Sequence, residues 1–107
     1  MTRWVPACRT DAFKGKQIVA ATVEGVQLII IRDGERLVAA ERACPHEAAD
    51  LADGRCSDGK LLCPRHLAWF DLNNGTAAGW LFRPLRLYDA RQVGDEVQVD
   101  LAGLVAS

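Results

Sequence analysis

Four side chains near the middle of this 107-residue chain are of metal-binding type, at a spacing that lets them converge. Cys44-Pro45-His46 and Cys63-Pro64-Arg65-His66 each supply one thiol and one imidazole. Sixteen residues, Glu47 to Leu62, separate the two boxes, which use both His and two of the four Cys of the chain. Two soft thiolates and two imidazoles form a ligand set for a transition metal. What remains open is which metal, and for what purpose.

Zinc is the simplest occupant of two Cys and two His, held tetrahedrally to stabilise a structural or interaction module. The usual finger groups Cys with Cys and places both His on one helix. Here the order is Cys-x-His and then Cys-x-x-His, with Pro after each Cys and no helical pattern to follow. The interleaving fits a finger poorly.

The same order, followed by Trp69-Phe70-Asp71 and the turn Asn74-Gly75, resembles the Rieske iron–sulfur proteins. The likeness is greatest to the small Rieske-type ferredoxins of bacterial aromatic-ring oxygenase systems. The resemblance implies one Rieske [2Fe–2S] cluster per chain, with Cys44 and Cys63 on one iron and His46 and His66 on the other. Replacing two thiolates by two neutral imidazoles raises the reduction potential relative to a four-thiolate cluster. It further implies a one-electron carrier between an NAD(P)H-dependent reductase and a terminal Rieske-type oxygenase. Such a chain is a redox component, not itself an enzyme. A small subunit of another redox enzyme, such as a nitrite reductase, is the alternative within the same family.

Departures from the high-potential members are informative. Those carry an extra Cys in each loop, joined as a disulfide. Ala49 and Arg65 stand at the matching positions, so that bond cannot form. Leu67-Ala68 replaces a Gly-Ser whose hydroxyl reaches a cluster sulfide. Fewer donors to the sulfurs imply a potential of about −150 to −50 mV.

The rest of the chain sets bounds. Half the residues are hydrophobic and a quarter charged, as in ordinary globular domains, and the length suits one domain, 1–107. A net charge of −1 argues against a nucleic-acid partner. No apolar run exceeds four residues, so neither a membrane span nor a secretory leader is expected, and the location reads as cytoplasmic. In that compartment Cys8 and Cys56, which have no His nearby in sequence, read as small buried side chains rather than a disulfide.

The elements that must position the boxes are strands. Trp4 to Cys8 reads as an edge strand, since Pro6 cannot occupy a central one. Thr10 to Gly15 forms a turn. Gln17–Val23 and Val26–Arg32 pair across Glu24-Gly25, and apolar residues at 28 to 31 predict a strand covered on both faces. Asp33-Gly34 turns the chain into Leu37–Ala40. From about 42 to 79 periodicity fades, and this stretch reads as a small two-loop cluster-binding subdomain, with turns at Asp58-Gly59 and Asn74-Gly75. Leu85–Tyr88 and Glu96–Leu101 return as strands about Gly94, and 102–107 reads as a loose tail. Together these predict an all-β, antiparallel sandwich or barrel.

Around the boxes, Trp69 and Phe70 are expected to pack beneath the loops, and Asp71 to cap the next turn. Glu47, Asp50 and Asp53 divide evenly between steering a basic partner and lining a solvated loop. Arg65, Trp80 and Phe82 are candidate docking residues, Phe82 being the better candidate for core packing.

Overall fold

The computed structural model describes residues 2–45, 49–64, 69–77 and 84–106, with only the backbone for 103–106. Among these residues the regular structure is β, joined by two short 3-10 turns at Thr10–Ala12 and Leu51–Asp53. The strands are β1 (Trp4–Arg9), β2 (Ile18–Val23), β3 (Val26–Asp33), β4 (Arg36–Glu41), β5 (Arg55–Ser57), β6 (Lys60–Leu62), β7 (Trp69–Asp71), β8 (Leu87–Val93) and β9 (Glu96–Ala106). No helix among the described residues is long and apolar enough to cross a membrane.

Six strands form one antiparallel sheet in the order β1-β9-β8-β4-β3-β2. Its hairpins follow from turn chemistry. Glu24 and Gly25 both take positive φ, at 50° and 80°, which suits the twist of paired strands and joins β2 to β3. The next reversal lies one residue later than expected: Asp33 remains in β3 opposite Arg36, and Gly34 supplies the positive φ, 64°. β1 is an edge strand, as Pro6 requires, with its register slipping between Pro6 and Cys8. The two edges, β1 and β2, return into contact, so the sheet curls into a near-barrel.

The covered strand is β3. Leu28, Ile29, Ile30 and Ile31 are all fully buried. Alternation sends Leu28 and Ile30 into the barrel interior with Phe13, Val23, Val97 and Val99. Ile29 and Ile31 face outward, yet they are covered by a second layer. That layer is a three-stranded sheet, β5-β6-β7, whose inner residues Cys56, Leu61 and Phe70 lie side by side in register. Asp58 and Gly59, at φ 51° and 73°, make its tight turn.

Two expectations need correction at the end of the chain. β8 begins at Leu87 and continues to Val93, beyond the alternating stretch that marked it. Residues 102–106 are not a loose tail: β9 continues through them, pairing Leu104 with Tyr88 and Ala106 with Leu87. The pairing passes through irregular register on either side of Tyr88, which breaks the simple alternation seen from 96 to 101. Asp100, a buried carboxylate, lies where that alternation stops. It accepts hydrogen bonds from the backbone N–H of Arg3 (2.8 Å) and Ala102 (3.1 Å), tying β1 to β9.

Candidate metal centre

The first box projects from the end of β4 and is closed at its neck. Ala43 and Asp50 form a bridge, the Cys44 N–H donates to the Ala49 carbonyl at 3.0 Å, and the Leu51 N–H donates to the Arg42 carbonyl at 2.8 Å. The Arg42 guanidinium grips the Asp50 carboxylate with both arms of its fork, Nε to Oδ1 at 2.9 Å and Nη2 to Oδ2 at 2.8 Å. Oδ1 also accepts from the Ala52 N–H at 2.9 Å, capping the turn Leu51–Asp53. The hydrogen bond from Arg42 holds the Asp50 carboxyl below the usual carboxylate range and raises Arg42 in return. Both side chains are over a third open to solvent, so the pair orients the loop more than it stabilises the fold.

The second box follows directly from β6, which delivers Cys63. Gly54 makes room here, because a Cβ at that position would lie 2.3 Å from the Leu62 carbonyl oxygen. A third segment is tied off below. The Asp71 carboxylate accepts from the Asn73 N–H at 2.8 Å, capping the turn as expected. Gly75, at φ 79°, presents its carbonyl to the Leu85 N–H at 2.8 Å. A Cβ on Gly75 would lie 2.1 Å from the Leu85 carbonyl oxygen, so only glycine fits.

The two boxes thus bring Cys44 and Cys63 into one buried cluster, at 4% and 0% exposure, with Leu51, Leu61, Phe70 and Leu72. Ala49 is packed in the same cluster, where its methyl fits an apolar wall. His46 and His66 lie outside the described residues, as do Glu47, Arg65, Leu67, Ala68, Trp80 and Phe82.

Two side chains were misjudged or unresolved in sequence. Trp69 does not pack beneath the loops. It is 42% exposed, because β7 alternates and Phe70, fully buried, takes the inner face. Asp50 was evenly divided between a docking and a solvated role, and it is instead a clamp. The available signal was opposite charge at 42 and 50, one on each side of the box. Cys8 and Cys56 are structural thiols. Burial raises both, Cys56 to about 11 with Asp33 adding to the effect, so they remain protonated at neutral pH.

Two thiols from separate segments, buried in one apolar cluster, are donors of the type that holds an iron of an iron–sulfur cluster. Comparison with known proteins agrees. Residues 3–86 match the model of the Rieske [2Fe–2S] domain. The anthranilate 1,2-dioxygenase ferredoxin subunit of Burkholderia cepacia is 28% identical over 102 residues, covering 94% of each chain. The ferredoxin of carbazole 1,9a-dioxygenase from Nocardioides aromaticivorans is 30% identical, with a TM-score of 0.77 over 91% of this chain and 96% of that one. A complex of reduced oxygenase and oxidized ferredoxin in carbazole 1,9a-dioxygenase contains a chain 25% identical, with a TM-score of 0.77 over 91% of this chain and 92% of that one.

Proposed function

This chain belongs to the Rieske [2Fe–2S] domain family, and on that premise we propose that it carries single electrons from an NAD(P)H-dependent reductase to a terminal Rieske-type oxygenase. Its similar relatives are named as ferredoxin components, which are electron carriers rather than catalysts. The complex of an oxygenase with its ferredoxin supports the same direction of flow. The whole chain, 1–107, acts as one domain, with residues of about 42–79 holding the cluster, one per chain. The protein works in the cytoplasm.

The carrying observation is the shared burial of Cys44 and Cys63, one beside the clamped neck of the first loop and one at the end of β6. Cys44 and Cys63 would hold one iron as thiolates, and His46 and His66 would hold the other through imidazole nitrogen. The bound group supplies reversible one-electron chemistry. Leu51, Leu61, Phe70 and Leu72 keep water from the sulfur side. The Arg42–Asp50 clamp and the Cys44 backbone bond close the neck of the first loop.

Electron paramagnetic resonance of the dithionite-reduced protein, with an iron assay beside it, tests this. The expected result is an average g below the free-electron value with about two irons per chain, the signature of mixed nitrogen and sulfur ligation. A colourless protein holding a single zinc overturns it.

A further inference from the structure

The outer face of the small sheet is unlike the rest of the surface. Arg55, Leu62 and Trp69 stand in one row across β5, β6 and β7, with Ser57, Lys60 and Asp71 in the next. Trp69 is one of three large hydrophobic side chains notably exposed among the described residues, and the one that is aromatic. Its indole stands between two hollows. The smaller, about 220 Å³, lies against Asp58 and Lys60. The larger, about 530 Å³, runs between the small sheet and the start of β2, and Lys16, Arg55 and Trp69 line it.

That larger hollow is charged in one sense only. Its lining has two cations and no carboxylate, and among the described residues neither Lys16 nor Arg55 is in an ion pair. Cys56, in its wall, stays a neutral thiol and adds no compensating charge. By contrast, a hollow of about 610 Å³ beside the first box is lined by Arg42 and Arg86 together with Asp50 and Glu41, and is balanced. The positive character is therefore local, on a chain whose net charge is −1.

We propose that this cleft docks an acidic segment of a redox protein partner, with Lys16 and Arg55 pairing its carboxylates and Trp69 covering its apolar side. Two unpaired cations beside an exposed indole supply both halves of such an interface, a charge pattern that selects the partner and an aromatic anchor that retains it. Location favours a protein that exchanges electrons. Leu62, opposite Trp69 in the sheet, immediately precedes Cys63, so a partner seated on Trp69 lies beside the second ligand box. The inference rests on the electron-carrier reading and adds to it a docking cleft beside the second box.

The test uses the holo-protein and a short fluorescein-labelled peptide alternating glutamate and leucine, followed by fluorescence anisotropy at low salt. Lys16→Glu and Arg55→Glu should each weaken binding at least about fivefold, with the loss shrinking as salt rises. Trp69→Ala should weaken it about tenfold at any salt. Arg9→Glu, the same charge reversal on β1, should leave binding unchanged. No binding by the wild type overturns the proposal, as does equal loss in Arg9→Glu. So does capture of single-stranded oligothymidylate in place of the peptide. The reduced-state resonance signal is read on every sample. A normal signal without cleft binding removes the cleft alone, whereas cleft binding without that signal removes the electron-carrier reading alone.

Discussion

The two sheets of this molecule reach order by different means. The six-stranded sheet has strands of six to eleven residues, paired in long ladders and packed on both faces of β3. The small sheet has three strands of three residues each, buries one face, and carries Cys63 directly after β6, while Cys44 lies on the loop that joins β4 to it. Its order comes from local devices: a positive-φ turn at Asp58-Gly59, a clamp at Arg42–Asp50, and close backbone passage at Gly54 and Gly75. The large sheet is held by apolar area, whereas the small one is held by points. A structure held by points is the more dependent on a ligand that joins them.

The sharpest way to break this asymmetry is to remove a ligand. Cys63→Ser should abolish the visible chromophore, and amide exchange should rise in β5–β7 while β2–β4 and β8–β9 stay protected. Cys8→Ser, on a strand away from the boxes, should keep full colour. Uniform loss of protection across both sheets in the Cys63 variant would refute the division.

A smaller effect should separate the two faces of β3. Ile29→Ala and Ile30→Ala each open a cavity costing about 2–5 kcal/mol in denaturant unfolding. Ile30 faces the barrel interior, so its loss should leave the absorption spectrum unchanged in the folded protein. Ile29 shares a cluster with Cys44 and Cys63, so its loss should also shift the spectrum or the reduction potential. Identical spectra for both variants would show that the layers are not coupled in this way.

The smallest effect should come from the clamp. Asp50→Ala loses the cap on Ala52, worth about 1 kcal/mol, and the exposed pair with Arg42 adds little to that. Release of the cluster to a chelator should nonetheless quicken, because the neck of the first loop is open. The Asp50 carboxyl lies below its unfolded value, so its contribution is complete above a pH of about 3.9 and fades as pH falls through the folded value. The stability difference between wild type and Asp50→Asn should therefore close in acid and hold at neutral pH. A difference that grows as pH falls would contradict the assignment.

How much was visible in the sequence follows the same contrast. Periodicity and turn chemistry are strong in the large sheet: Pro6 placed the edge, Glu24-Gly25 placed a hairpin, and the run at 28–31 announced two buried faces. The reach of β9 was missed because bulges around Tyr88 interrupt the alternation that signals a strand. In the small sheet three-residue strands are too short to show a period, so β5 went unseen and Trp69 was assigned to the wrong face. Cys44 and Cys63 stood out because metal binding demands particular residue types at particular spacings, and the structure buries both in one cluster. The Arg42–Asp50 clamp was not, because charged residues on a polar loop look alike until their partners are known.

Gly75 has a consequence for how such a protein can diverge. Its carbonyl and its missing side chain bind the chain to Leu85, immediately ahead of β8. The segment between these two residues begins and ends at one fixed point. Where β8 starts is therefore set by this one contact. Position 75 itself leaves no room for a side chain, so a lineage that keeps this fold keeps glycine there.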